Sequence, residues 1–594
     1  MQKIYYLLIL FLFIPNFVLS QQNVDNNTDR QIENIVSLAK IIGVTKYFHP
    51  SEQAVKNDWD KFTLFAIDNI KEVKTQKELA TNIANLFSLI APTMQIYYQD
   101  SLINNTNITQ NIFKTNKITY WQHRSLGLDH KNLSLLLKII TSGWKSKLIT
   151  TDTSKTDKYT PNPQLPDEAK ISENILCKIP IAFYLNKNTK QPKTKTLKFS
   201  KIKYSIKTEQ IAAVITAWNI YQHFFLYFNS KNSNWESCLK STLKKCLTTD
   251  TIIPVKVLLQ EMISNVNDRH FLIFTKKEFG FFWQKYNEKP SFELSFAENK
   301  VVVANVYDSC CGLRKGDVIK KINGKFTDSI ILSEIKYSNG SNLLNKCKSV
   351  SENLIFKYKG KNEFEIQRND SIKRFNINLK DKIIIKEPAK FRELEKGYYY
   401  IDITLISRKD VKKLIPLLKY AKGIVCDIRY RCGSGSEEFL SHIISDTILT
   451  GRWFIPHYQF PNRDNIKFEL VKPWNITPQL PKINVPVVFI TGFNCLSYGE
   501  TILEMIKHYK LGTLIGEYSA GTNGDINSSA LFNNICFTWT GLYVVNRDDS
   551  PLHGIGIKPD INIEPTVEAI KNNDDYLVNY AIYYLKNKEL IDKK

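Results

Sequence analysis

After its first twenty residues the chain has no apolar run approaching eighteen residues, so nothing in the mature part is long enough to cross a bilayer as a helix. It has no CxxC pair and no His/Cys group at zinc spacing, which excludes a zinc-finger type of metal site. Ten cysteines in 594 residues do not make the dense framework of a disulfide-stapled miniature fold. Cys310 and Cys311 are adjacent, and Cys426 and Cys495 sit in apolar stretches, so they read as core thiols. Acid is short: 58 Asp and Glu stand against 81 Lys and Arg, a net charge of +23. Such an excess suits a polyanion. Here it is lysine spread along the chain beside Asn and Ile, without the aromatics interleaved with arginine that a base-stacking platform needs. Nucleic acid is therefore not the expected partner, and no metal or cofactor is expected.

What is present begins with MQKIYYLLILFLFIPNFVLSQ. One Lys, an apolar run and the small-residue ending Val18-Leu19-Ser20 make a secretory signal peptide over residues 1–20. No Cys follows it, so a lipid anchor there is not expected. The mature protein is expected to be exported, periplasmic or extracellular, with no integral membrane segment after signal removal.

Length alone suggests about four domains. Apolar spacing near 3.6 in IENIVSLAKIIGVTKYF and KELATNIANLFSLIA predicts a helical segment over 21–99. Short alternating runs with polar loops predict a β-rich domain over 100–206. Helical spacing returns over 207–280, and with it an internal repeat. KYFHP, Trp59 and LFSLIAPTMQIYY are echoed by FLYFN, Trp235 and MISNVNDRHFLIF. From Trp59 to Met94 is 35 positions, as from Trp235 to His270. Only the second copy carries a titratable ring at that place, which singles out His270; a histidine just past a helix is otherwise an ordinary surface residue. Both tryptophans read as core anchors. Residues 285–385 read as a compact β domain whose Gly312–Lys325 stretch, GLRKGDVIKKINGK, has a PDZ-like signature: a glycine turn, a buried aspartate, an apolar strand and an Asn-Gly turn. Such domains hold an extended peptide as an added strand. Residues 390–594 alternate strand and helix, as an α/β layer with largely parallel strands does. The fold class expected is multidomain α+β: helical hairpin repeats, a β-rich domain, a PDZ-like domain and an α/β core.

The chemistry concentrates in VPVVFITGFNCLSYGETILEMIKHYK, residues 485–510. It reads as a buried strand, a tight connection and a helix from about Tyr498. Ser497 stands at the join, where a serine is ordinarily only an N-cap. A helix start also offers free N–H groups and a positive dipole end to an oxyanion. A second strand, GIVCDIR, runs into Tyr430-Arg431-Cys432-Gly433-Ser434-Gly435. If the two strands are neighbours, the Gly433 and Tyr498 amides can point at one oxygen.

The order of DIRYRCGSG, FITGFNCLSYGE, LIGEYSAGTNG and HGIGIKPDI after a PDZ-like domain resembles the tail-specific or C-terminal processing protease family of serine peptidases, its tricorn-like branch most. The resemblance spans the second hairpin through residue 565. It implies a crotonase/ClpP-like core, a protein or peptide substrate, Ser497 as nucleophile, His270 as base, and Gly433 and Tyr498 as oxyanion donors. The branch usually reads Asp-Gly-His where this chain has Asp268-Arg269-His270. The processing-protease lysine would fall at Thr522, which favours a Ser/His pair over a Ser/Lys dyad. The glycine pair reads Gly433-Ser434, and Arg431 replaces the usual Asn. Where the branch places a late Glu that orients its base, His553 is found; Asp268 is a candidate by proximity. Glu500 reads as structural, and Thr522, Asn523 and His553 as cleft-lining or turn residues. The alternative is a peptide-binding protein of this architecture with a disabled site.

Overall fold

The computed structural model describes residues 26–103, 116–124, 146–185, 203–228, 234–275, 278, 288–379, 383–384, 389–430, 432–463, 465–531, 534–572 and 575–591. The signal peptide and Arg431 lie outside them. The protein is a mixed α/β multidomain chain that divides into two compact units. The first comprises the described residues up to Met262, with Pro456–Glu469 and Asn527–Cys536; the second comprises Ile263–Ile455, Leu470–Ile526 and Phe537 onward.

In the first unit, helices at 26–48, Trp59–Ile70 and Gln76–Ser88 are followed by β structure and then by helices Ile206–Phe224, Trp235–Thr248 and Val255–Ile263. Trp59 and Trp235 each open the middle helix of their set, capped by Asp58 and Asn234 side chains. Both rings are buried, and both indole N–H groups reach a backbone carbonyl, Ala54 at 2.8 Å and Trp218 at 3.1 Å. They are core anchors, each with the partner a buried indole needs. Between the helical sets lie two small antiparallel sheets, one of four strands and one of three.

The second unit holds two sheets that matter for the site. The earlier one is antiparallel, in the order Phe292–Ala297, Lys300–Val306, Val318–Ile322, Gly360–Arg368, Ser371–Leu379. Helices Thr327–Glu334 and Leu343–Asn353 accompany it. Asp317 is buried and held bidentate by Arg368, both bonds at 2.7 Å, while it also caps the Arg314 amide. A buried carboxylate demands such partners. Asn323 and Gly324 both take positive φ, 48° and 76°, as an Asn-Gly hairpin turn requires.

The later sheet is the α/β core. Its strands are β1 (Phe391–Glu395), β2 (Tyr398–Asp402), β3 (Gly423–Asp427), β4 (Val487–Thr491), β5 (Thr513–Gly516) and β6 (Ile561–Asn562), in that spatial order. β1 and β2 are antiparallel; every later pair is parallel. All residues of β3 and β4 are buried. That is why both strands read as unbroken apolar runs: parallel strands are covered on two faces. Ile424, Cys426, Val487 and Phe489 pack under α1 (Arg408–Leu418), α2 (Ser436–Ser441) and α3 (Tyr498–His508). Val425, Val488 and Ile490 face α4 (Tyr576–Ile591) through Leu577, Val578 and Ala581. The stretch 535–545 differs from expectation. It does not join this sheet: Ile535–Thr540 pairs with Ile273–Thr275 and Ile526–Ala530 instead. Its alternating pattern does not specify a partner, and here the partner is the strand that follows His270.

Nine cysteines of the described residues are free thiols. Among the described residues no helix is long and apolar enough to cross a membrane, and no three His, Cys, Asp or Glu side chains are grouped to hold a metal.

Candidate active site

All of the site lies in the second unit. β3 and β4 are neighbours, in parallel register from Ile424 with Val487 to Asp427 with Ile490. Their C-terminal ends therefore open side by side, where ligands gather in such sheets. Asp427 and Arg429 of the first strand end hold each other and, through Asp575, the base of α4. They brace the strand end and do not reach the reaction zone.

Ser497 sits at the turn from β4 into α3 with φ 57° and ψ −113°. An L-residue there costs on the order of 1–3 kcal/mol and persists only if its surroundings over-determine it. They do. The Ser497 amide donates to the Thr522 carbonyl at 3.1 Å and to Glu500 Oε2 at 3.2 Å. Glu500 is fully buried and also accepts from Ser519 Oγ (2.7 Å), the Gly521 amide (2.6 Å) and the Thr522 amide (3.0 Å). Burial holds its carboxyl above the usual range, and these four donors offset only part of that. Glu500 is thus the knot that ties the serine turn to loop 519–522.

His270 is reached through a different sequence of turns. Helix Val255–Ile263 tightens into a short 3-10 turn, Ser264–Val266, and ends on Asn267 at φ 53°. Asn tolerates that left-handed stop. Asp268 then folds its side chain forward so that Oδ1 accepts the His270 amide at 2.9 Å. His270 is 2% exposed, which replaces the picture of a surface histidine after a helix. Its Nδ1 lies 2.9 Å from Thr540 Oγ1. Thr540 in turn bonds Asp268 twice, Oγ1 to Oδ1 at 2.8 Å and the amide to Oδ2 at 2.7 Å. Because an ionised carboxylate only accepts, the threonine proton goes to Asp268, and the Thr540 lone pair receives Nδ1–H. This network assigns the Nδ1–H tautomer and leaves Nε2 with the lone pair. Burial raises Asp268 to about 6, against hydrogen bonds from Thr540 and His270 that lower it, so the carboxylate is ionised above that pH.

The two halves meet at Thr522. Its carbonyl takes the Ser497 amide, and its Oγ1 takes the Arg269 amide at 3.3 Å and lies 3.0 Å from Ser341 Oγ. One residue thus links the backbone at Ser497 to the residue beside His270. Where a dyad lysine would stand, Thr522 joins the two chain segments. Burial, and after it the repulsion His270 would exert once protonated, press His553 down to about 3. His553 is held nearby by the Gly554 amide, which donates to Gly521 at 2.8 Å. Asn523 turns away, bonding Thr501 at 3.0 Å.

The two amides expected to face an oxyanion stand in different surroundings. Tyr498 is the first residue of α3, where N–H groups have no intrahelical acceptor. Its phenol is anchored to Glu437 at 2.8 Å. The Gly433 amide, however, donates to the Ile403 carbonyl at 3.2 Å and so is turned into the protein. A Cβ on Gly433 would sit 2.7 Å from the Thr404 carbonyl. Glycine is needed there because the loop packs against residues 403–406, which a motif in sequence cannot distinguish from an oxyanion donor.

Thr540, Arg269 and Asn494 were not singled out as functional by sequence. Thr540 lies 270 positions from His270 in an ordinary strand, and no local signal marks it. Arg269 carries a signal only as the departure from Asp-Gly-His, and Asn494 carries none.

Comparisons agree with this architecture. Residues 397–563 match the profile of Peptidase family S41. No curated protein matches the sequence. Among solved structures, mature CPAF complexed with lactacystin is similar at TM-score 0.50 and 11% identity, covering 64% of this chain and 99% of that one. The photosystem II D1 C-terminal processing protease is similar at TM-score 0.38 and 13% identity, over 62% of this chain and 98% of that one. The tricorn protease follows at TM-score 0.33 and 14% identity, over 80% of this chain and 46% of that one. At such identities the likeness to CPAF is one of fold. The family profile covers both strand ends, the serine turn and the loop that ties them: over residues 397–563 this chain carries a domain of peptidase family S41, a family of serine-type peptidases.

Proposed function

We propose that this protein is an exported serine endopeptidase of the tricorn-like branch, acting through an acyl-enzyme on Ser497 with His270 as base. The observation that carries the reading is the Thr522 bridge, which ties the serine turn and the histidine turn to one residue. His270 Nε2 takes the proton of Ser497 Oγ, and the alkoxide attacks a peptide carbonyl. The oxyanion is met by the Tyr498 amide and the positive end of α3. Thr540 and ionised Asp268 hold the imidazole by Nδ1 and stabilise the imidazolium. The amine leaves with the proton from His270, and water resolves the acyl-enzyme. Glu500 and Thr522 shape the turn and do not react; His553 lines the histidine side of the site. The sheet of Phe292–Leu379 serves as a PDZ-like domain that presents the substrate peptide by strand addition, and the core is of the crotonase/ClpP kind. Segments 21–99, 100–206 and 207–280 are the hairpin, β-rich and second hairpin domains.

A fluorophosphonate probe tests the assignment. Wild type should be labelled at Ser497, and both Ser497→Ala and His270→Ala should lose labelling. Equal labelling of Ser497→Ala would remove the serine from the mechanism. One observation favours the second reading, a peptide-holding protein with a disabled site: the Gly433 amide is committed to Ile403. That reading requires an unlabelled wild type that still binds peptides. Export is tested separately, by the N-terminus of the secreted chain beginning after Ser20.

A further inference from the structure

Arg269 occupies the place where the related motif reads glycine. Its side chain leaves the histidine turn and reaches the turn that precedes Ser497. One guanidinium nitrogen donates to the Phe493 carbonyl and another to Asn494 Oδ1 at 2.9 Å. The same guanidinium lies 5.2 Å from the centre of the Phe493 ring. Lys348 lies 5.6 Å from that ring centre as well. Asn494 passes the connection on: its Nδ2 donates to Glu352 Oε2 at 3.0 Å and Oε1 at 3.3 Å. The amide can be oriented only this way, since a flip would face its NH₂ to the guanidinium and its oxygen to the carboxylate. Glu352 ends helix Leu343–Asn353, whose start is fastened to loop 519–522. There Ser341 donates to the Ala520 carbonyl, as does Asn345 Nδ2 at 3.3 Å.

From these contacts we infer that Arg269, Asn494 and Glu352 form a positioning clamp that holds the serine turn in register with His270. The inference rests on the proposed Ser497/His270 chemistry and deepens it. Arg269 grips both flanks of the nucleophile: Phe493 and Asn494 before it by the side chain, and Thr522, which receives the Ser497 amide, by its own backbone. It adjoins His270 directly. A glycine there could make only the backbone bond. The clamp therefore supplies, from the base side, the over-determination that a serine at φ 57° requires. A two-pronged guanidinium suits the task, because a planar fork fixes direction as well as distance.

The test is the saturation kinetics of fluorophosphonate labelling at Ser497 in wild type, Arg269→Ala, Arg269→Lys, Asn494→Ala and the Arg269→Ala/Asn494→Ala double variant. Misplacing a reacting group by about 1 Å costs on the order of 100-fold, so the maximal labelling rate should fall about 10- to 100-fold. Probe affinity should change less than about threefold, because the clamp sets geometry and not probe binding. Losses in the double variant should overlap instead of multiplying. Millimolar guanidinium should restore part of the rate to Arg269→Ala and none to Asn494→Ala. Arg269→Lys keeps the charge over Phe493 but loses the fork, and should also be slow, which covers the case in which Arg269→Ala does not fold. Wild-type rates in Arg269→Lys and Asn494→Ala, or multiplicative losses, overturn the clamp while leaving the serine assignment standing. An unlabelled wild type overturns both together, and shows itself before any variant is made.

Discussion

At the scale of single residues, the site departs from ordinary stereochemistry at Ser497. Its φ of 57° and ψ of −113° suit glycine far better than serine. Ser497→Gly should therefore be more stable than Ser497→Ala, by about 1 kcal/mol, though both are inactive. Thermal midpoints of the two purified variants check this, and equal midpoints would mean the turn carries no strain. Thr540 offers a second residue-scale prediction. Thr540→Val keeps the shape but removes the oxygen between His270 Nδ1 and Asp268. The labelling rate should drop about 10- to 100-fold, with the thermal midpoint moved by only a few degrees. A valine variant that labels at the wild-type rate would leave Asp268 and Thr540 as packing alone.

At the scale of elements, the informative unit is the strand–turn–helix of β4 and α3 with the loop that follows β5. Helix propensity does not hold Ser497 in place; Glu500 does, with four donors from three positions of a loop and the turn itself. Glu500→Ala would strand those buried donors, each at about 1–3 kcal/mol. The expected loss is at least about 3 kcal/mol in denaturant unfolding, together with loss of labelling. A variant that unfolds at the wild-type midpoint would show that the knot can be replaced by water. Glu500 was legible as structural from its place three residues after a helix cap. Its reach to Ser519, Gly521 and Thr522 was not, because a loop that returns from the next strand leaves no trace in local spacing.

At the scale of the whole molecule, buried histidines and buried carboxyls respond to acid in opposite directions. The first unit buries His49, His123 and His223 among Tyr47, Phe48 and Phe224. Burial presses them to about 3, 4 and 3. An unfolded histidine titrates near 6.5. Their stabilising neutrality is therefore complete above about pH 6.5 and is lost as pH falls toward 4, each by up to about 1.4 kcal/mol per pH unit. In the second unit, burial raises Asp268 to about 6 and Glu352 to about 7. Unfolded carboxyls titrate near 4. These two hold their protons longer when folded, so they add stability as pH falls from 7 toward 4. Hydrogen exchange at pH 7.5 and 5.5 should show protection lost first in helices 26–48 and Ile206–Phe224, which carry or adjoin these histidines, with β3 and β4 little changed. A uniform loss across both units would contradict that assignment.

The sequence by itself determined the elements whose cause is local. The unbroken apolar runs of β3 and β4 require burial on both faces. The Asn-Gly turn at 323–324 requires a hairpin, and the indoles of Trp59 and Trp235, 35 positions before Met94 and His270, each open a helix as buried anchors. It also brought Ser497 and His270 forward as a pair. Only the tertiary structure decided what stands between and around them: Thr540 on a strand that leaves the main sheet, Thr522 as the bridge, Arg269 as a clamp in the place of a glycine, and Gly433 turned inward to Ile403. The physical reason is common to all four. Strand pairing and hydrogen-bond partners across hundreds of residues depend on which faces meet, and periodicity records how far a residue is buried without recording against what.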